Sequence, residues 1–313
     1  MERYKIIVNP VSGRGAGELA IPAIERSLRG YGLDYDLVRT ERPWHAAELA
    51  QEAAASGYTV VVAVGGDGTA NEVLNGLMRA REALGHNGTA MGVVSVGRGN
   101  DFAFGMGVPS GVLEGCRALA CGRRRPIDVG RVVSGLYPQG RYFGNGVGVG
   151  FDAVVGFEAL KLTRLRGFAC YIVAALKVIF LYYRAPRVRI ELDGQTLTQP
   201  SLMISIMNGR RMGGGFLMAP QGNPGDGLLD LCIAGQVSRM GIFGLIPRFL
   251  RGSQAGHAAI RTGRARRITI TALEGVLPAH ADGETLCTEG QRLELEILPA
   301  QLDIICATEG ASR

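Results

Sequence analysis

Residues 59–72 read Thr-Val-Val-Val-Ala-Val-Gly-Gly-Asp-Gly-Thr-Ala-Asn-Glu, and this stretch decides the fold. Thr59–Val64 is a continuous apolar, β-branched run, as a parallel strand covered on both faces requires. Gly65–Thr69 is a loop of glycine and small polar residues, and a helical pattern follows from about Thr69 to Leu84. A strand, a glycine loop and a helix in that order make the context of an anion site. Glycines let backbone N–H groups face phosphate oxygens, and the helix N-terminus adds favourable partial charge. Asp67 amid the glycines would repel bare phosphate. It fits if Mg²⁺ stands between, held directly or through water. The same five residues alone would also make a plain turn; the flanking strand and helix argue for the site.

Reading outward, the first third repeats the unit. Lys5–Val8 and Asp34–Arg39 read as strands, Glu18–Arg29 as a helix with Leu19, Ile21, Ile24 and Leu28 near helical spacing, and Met91–Val96 as a fourth strand. Pro43 opens a further helix that runs to Ser56, with Gly57 as its stop. Repeated βα units predict an open parallel sheet with helices on both sides. Ligands of such sheets bind beyond the carboxyl ends of the strands. Those ends carry Asn9-Pro10-Val11-Ser12-Gly13, Thr40, Gly65-Gly66-Asp67-Gly68-Thr69-Ala70-Asn71 and Gly97-Arg98-Gly99-Asn100-Asp101. Two familiar phosphate loops are excluded. Glu18 stands where a dinucleotide fingerprint starting at Gly13 needs its third glycine, and no Walker-type Gly-x-x-x-x-Gly-Lys-Ser/Thr occurs.

After Arg123-Arg124-Arg125-Pro126 the texture changes. Short runs rich in Val, Ile and Leu, such as Val188–Leu192, Leu202–Met207, Leu228–Ile233, Arg267–Thr271 and Arg292–Leu298, are separated by Gly, Pro and Asn. That pattern predicts an antiparallel sandwich or barrel. The expected organisation is an α/β nucleotide domain over residues 1–127 and an all-β domain over 128–298, with 299–313 returning to the first.

Composition narrows the partners. The chain has 313 residues, 47% hydrophobic and 20% charged, which suits a globular enzyme and argues against disorder. A net charge of +6 suits anionic substrates, anionic membranes or nucleic acid. Aromatic content of 6% and the lack of any recognition motif weigh against nucleic acid. The six cysteines form no CxxC pair, so neither a disulfide framework nor a zinc site is indicated, and a reduced cytoplasmic setting is expected. Phe168–Tyr183, apolar except for Lys177, falls short of the roughly 20 residues that span a bilayer. It reads as a buried or interfacial helix. Arg239–Gly252 interleaves Ile242, Phe243, Leu245, Ile246, Phe249 and Leu250 with three arginines. It reads either as a packed helix or as a basic helix that lies on an anionic bilayer through Phe243, Ile246 and Phe249.

The ordered set of motifs resembles the diacylglycerol kinase catalytic-domain superfamily, which includes bacterial diacylglycerol kinases and sphingosine and ceramide kinases. The match runs through Asn9–Gly13, Thr40 with His45-Ala46, Gly65–Glu72, Asn75-Gly76 and Asn100-Asp101-Phe102. It continues through Asp128, Gly150-Phe151-Asp152, Gly213–Phe216, Asn223–Asp230 and Asp282-Gly283-Glu284. The resemblance implies a phosphofructokinase-like nucleotide domain, a β-sandwich lipid domain, and ATP in the cleft between them. ATP and Mg²⁺ are the implied cofactors. Asn9–Gly13, Thr40, Gly65–Asn71, Asn100, Asp101 and Arg98 are the implied nucleotide ligands. Arg98 stands where the family has threonine, and its guanidinium either pairs with a phosphate or crowds the site. One of Asp282 and Glu284 is the implied base for the lipid hydroxyl, Glu284 being favoured, and the other organises metal or nucleotide. A structural Mg²⁺ is implied on Asp226 with oxygens from Asn223 and Leu228. Asp128 is implied in an interdomain charge network with Lys161, Arg164 or Arg166. The expected partners are a membrane lipid substrate and, transiently, the anionic inner face of the cell membrane; a homodimer is left open. Two rivals remain, an NAD or small-polyol kinase of the same superfamily and a catalytically weak lipid-binding regulator.

Overall fold

The computed structural model describes residues 2–85, 88–97, 99–134, 136–162, 167–181 and 183–307. The chain divides into two units, Met1–Val129 with Pro299–Arg313, and Gly130–Leu298.

The first unit opens with β1 (Arg3–Val8), α1 (Ser12–Gly30), β2 (Asp34–Arg39) and α2 (His45–Ala55). It continues with β3 (Val60–Gly65), α3 (Asp67–Leu84), β4 (Ala90–Ser95), α4 (Asp101–Gly105) and α5 (Val112–Cys121). β5 (Arg123–Ser134) leads out of it. The strands pair in parallel in the order β4-β3-β1-β2. Every residue of β3 and β4 is buried, as double-sided coverage demands. Ile21, Ile24 and Leu28 of α1 pack on Val62 and Val64. Close approach fixes a glycine between α2 and α3: a Cβ on Gly76 would stand 2.1 Å from the Ala47 carbonyl oxygen. Asn75-Gly76, a motif without an assigned role in the sequence, is therefore a helix-packing device.

Two helix starts differ from expectation. α1 begins at Ser12 but passes through left-handed Gly13, Arg14 and Gly15 (φ 59°, 62° and 92°) before settling. α2 starts at His45, not at Pro43, because Trp44 is left-handed (φ 66°) and the Glu41 N–H donates to His45 Nδ1 at 3.1 Å.

The second unit begins with β6 (Tyr137–Phe143), β7 (Gly146–Gly150), α6 (Phe151–Lys161) and α7 (Gly167–Leu181). Next come β8 (Arg187–Leu192), β9 (Gln195–Met207), β10 (Leu229–Gly235) and α8 (Arg239–Arg251). It closes with β11 (Ile260–Ala265), β12 (Arg267–Ala272), β13 (Leu277–Ala281), β14 (Glu284–Gly290) and the first part of β15 (Arg292–Cys306). The pairing is antiparallel, and β9 serves two sheets. Its Gln195–Pro200 half pairs with β8, and its second half pairs with β7 and β10. A strand that changes sheet is how a sandwich turns its corner. Val147, Ile204 and Ile206 of one sheet meet Val188, Ile190, Ile268, Ile270 and Leu295 of the other in one core. β15 ends with Leu302–Cys306 in the first unit, where Ile304 pairs in parallel with Met91 of β4.

α8 turns Leu245 and Phe249 onto Met203, Met207 and Cys232, and Ile242 onto Leu202. Phe249 thus belongs to the core and is corrected as a membrane-facing residue. Its spacing of three, then four, from Ile242 through Leu245 puts it on the packed stripe. Glu158, buried on α6, pairs with Lys161 and with Lys177 of α7, tying the two helices together. Among the described residues no helix is long and apolar enough to cross a membrane.

Candidate functional site

In the first unit the glycine loops gather at the carboxyl ends of β1, β3 and β4. Backbone bonds stitch them: Asn9 N–H donates to the Val64 carbonyl at 3.0 Å and Val96 N–H to the Gly65 carbonyl at 2.9 Å. Thr40 N–H donates to the Val8 carbonyl at 2.8 Å, keeping the end of β2 beside them. Side chains add Asn9 Nδ2 donating to Thr69 Oγ1 at 3.1 Å, and Val11 N–H donating back to Asn9 Oδ1 at 3.2 Å. The loops approach so closely that side chains would not fit. A Cβ on Gly97 would stand 2.4 Å from the Gly66 Cα, and one on Gly13 would stand 2.2 Å from the Val96 carbonyl oxygen.

Asp67 heads α3, and its Oδ1 accepts the Phe102 N–H at 2.9 Å, coupling that loop to α4. Asp101, buried, heads α4. A Cβ on Gly99 would stand 2.9 Å from Asp67 Oδ2 and 3.4 Å from Asp101 Oδ2. Two carboxylates therefore converge on one glycine at a helix N-terminus. Such a pair fits Mg²⁺ carried in with a nucleotide, since that ion takes one or two carboxylates and fills its remaining positions with phosphate and water. Of the expected nucleotide ligands, Asn9, Pro10, Ser12, Gly66 and Gly68 are half-buried around the loops, and Val11 is exposed. Thr69, Ala70 and Asn71 are buried. Asn71 bonds within α3, its carbonyl and Oδ1 both accepting from Asn75 Nδ2. Arg98 lies outside the described residues.

The second unit presents Asp282-Gly283 as the two-residue turn between β13 and β14, with positive φ at both (48° and 87°). A two-residue hairpin loop with both central residues left-handed favours this dipeptide. Asp282 is buried, and its carboxylate accepts three backbone N–H groups, from Gly144 at 2.8 Å, Asn145 at 3.0 Å and Gly146 at 2.8 Å. Its own N–H returns to the Gly146 carbonyl. Asn145 and Asn208 extend the knot, reaching the Arg211 and Gly144 carbonyls. Asp282 is thus an anchor for the turn. Glu284, the first residue of β14, is exposed.

A buried polar group lies under this turn. A Cβ on Gly148 would stand 2.4 Å from Asp152 Oδ2 and 2.5 Å from His280 Nε2. Ser205 Oγ donates to Asp152 Oδ2 at 3.4 Å, and Gly283 N–H donates to His280 Nδ1 at 3.3 Å. Burial pushes Asp152 up to about 7 and His280 down to about 4, so His280 is neutral and carries its proton on Nε2. The signal for this group was the alternation of glycines in Gly146-Val147-Gly148-Val149-Gly150, since glycine inside a strand marks close approach.

Two expectations meet different surroundings. Asp128 Oδ1 accepts the N–H of Ala300, a left-handed residue within β15 (φ 50°). Of its expected partners, Lys161 pairs with Glu158, while Arg164 and Arg166 lie outside the described residues. In the loop Asn223–Leu228, Asp226 Oδ1 accepts the Leu228 N–H at 3.1 Å and Oδ2 meets the Arg264 guanidinium.

Comparison with known proteins decides the family. Residues 3–132 match the model of the diacylglycerol kinase catalytic domain. Residues 145–306 match that of the YegS C-terminal NAD kinase β-sandwich-like domain. The chain is 30% identical to the diacylglycerol kinase of Bacillus subtilis over 287 residues, covering 91% of this chain and 90% of that protein. The chain belongs to the diacylglycerol kinase family. This kinase is also 30% identical over 307 residues to the Pseudomonas aeruginosa protein named "Probable lipid kinase YegS-like", covering 97% and 95% of the two chains. Its fold is similar to that of a Bacillus anthracis diacylglycerol kinase (TM-score 0.73, 22% identity, 97% of each chain). It is also similar to that of an Archaeoglobus fulgidus NAD kinase solved with ATP (TM-score 0.50, 13% identity, 97% of this chain and 93% of that one).

Proposed function

We propose that this kinase transfers the γ-phosphoryl group of Mg²⁺–ATP to a membrane-lipid hydroxyl, with diacylglycerol the first candidate acceptor and a sphingoid base the next. The observation that carries this reading is the convergence of Asp67 and Asp101 on Gly99 among three glycine loops at strand carboxyl ends. The loops cradle the phosphates through backbone N–H groups. Asp67 and Asp101 would hold Mg²⁺, which would supply charge neutralisation for the transferred group. Glu284 accepts the lipid hydroxyl proton as that oxygen bonds phosphorus and ADP departs. Asp282 holds the turn that displays it.

The acceptor stays in a bilayer, and α7 and α8 supply a face to meet it. Phe180 (59% exposed) and Met240 (72%) face solvent, Leu176 and Leu250 are also exposed, and the Phe180 and Phe243 rings lie 6.1 Å apart. α8 carries Arg239, Arg248 and Arg251, and neither helix has an acidic residue. An anionic lipid surface complements that charge.

Incubation with radiolabelled ATP and mixed micelles of diacylglycerol, sphingoid base or ceramide, beside NAD and glycerol without detergent, tests the acceptor. Label in a chromatographed lipid phosphate is expected. Label in NAD or glycerol instead would move the enzyme to the other branch of its fold.

A further inference from the structure

The family resemblance reserves the loop Asn223–Leu228 for a structural Mg²⁺, and the side chains there do not fit that ion. Arg264 on β11 lies directly across from Asp230 on β10 in the antiparallel register. Its Nε stands 3.3 Å from Asp230 Oδ1, and its Nη2 contacts Asp226 Oδ2. One guanidinium thus bridges the loop carboxylate of Asp226 and the β10 carboxylate of Asp230, both partly withdrawn from water (side chains 25% and 16% exposed). Asp226 Oδ1 is turned inward to the Leu228 N–H. Burial pushes the Asp230 carboxyl up, the Arg264 charge opposes it, and the Asp226 charge adds a smaller upward push. A planar fork is suited to two carboxylates at once. A hard divalent ion would have to displace it, and would lose one Asp226 oxygen to the backbone.

We propose that Arg264 is the resident cation of this loop, clamping residues 223–228 onto β10 and β11 in place of a structural metal. The inference concerns the second unit alone, and it stands or falls independently of the phosphoryl acceptor.

Thermal unfolding of the whole chain without nucleotide, in excess EDTA or in millimolar Mg²⁺, tests it. Any Mg²⁺ effect on Tm should be the same in the wild type and in Asp226→Asn, because the loop takes no metal. Arg264→Gln in EDTA should lower the Tm of the second unit's transition by about 3–6 °C. Arg264→Lys, which keeps the charge and loses the fork, should fall by roughly half as much. Two results would overturn the proposal: Mg²⁺ stabilisation of the wild type that Asp226→Asn abolishes, or an Arg264→Gln Tm equal to that of the wild type.

Discussion

Replacing Asp282 by alanine separates an anchor from a catalyst. The side chain accepts three backbone N–H groups at 2.8–3.0 Å, all in buried surroundings. Hydrogen bonds to a charged group contribute about 1.5–3 kcal/mol each, and a buried donor left unpaired costs ~1–3 kcal/mol. The three share one carboxylate, whose own desolvation offsets part of the gain, so a net loss of about 4 kcal/mol is expected. That is a large share of the roughly 5–15 kcal/mol that holds a domain folded. For a unit spanning residues 130–298 it corresponds to a Tm fall of about 8–16 °C. Circular dichroism melts read this directly. Asp282→Asn keeps one acceptor oxygen and should lose about half as much. A variant that melts within a degree or two of the wild type, yet has lost turnover, would refute the anchoring role and return Asp282 to the chemistry.

The remaining expectations are these. Glu284→Gln should abolish most turnover with ATP affinity within a few-fold and an unchanged melt, because an exposed base acts only in the transition state; a near-normal rate places the base elsewhere. Asp67→Asn should lower kcat by about a hundredfold or more, on the scale of losing one preorganised electrostatic group; full activity in the folded variant would sink its role with Mg²⁺–ATP. Asp152, raised to about 7 by burial, gives stability that is complete below pH ~4 and lost as pH rises to about 7. His280, lowered to about 4, does the reverse, losing its contribution as pH falls from about 6.5 to about 4. Asp152→Asn should therefore gain about 3 kcal/mol on the wild type in urea titrations between pH 4 and 7; parallel curves would contradict it. Phe180→Ser with Met240→Ser should weaken cosedimentation with anionic vesicles, and salt should weaken the wild type similarly, since exposed charges are screened beyond about 8 Å at physiological ionic strength; equal binding to neutral vesicles would remove the charge argument.

The parallel unit was legible because its signals are local. Val60–Val64 is apolar at every position, as a strand buried on both faces requires. The glycine loops are readable as a candidate phosphate site, but not the approach of Asp67 and Asp101 to Gly99, which depends on how two loops from different strands pack. The hairpin at Asp282-Gly283 was readable as a turn, whereas the three N–H groups that fill its carboxylate come from residues 144–146, far away in sequence. Periodicity likewise gives α8 its amphipathic character without saying which stripe faces the sheet, so only the membrane-lying alternative sets Phe249 on the wrong side. Nothing in the sequence says that β11 sets Arg264 opposite Asp230.

Transfer of label from γ-phosphate-labelled ATP to diacylglycerol in mixed micelles, followed by organic extraction and chromatography, tests the central claim most directly. The wild type should place the label in phosphatidic acid and Glu284→Gln should not. Label that stays in the aqueous phase with every lipid offered, or an equal organic yield from Glu284→Gln, would contradict the account.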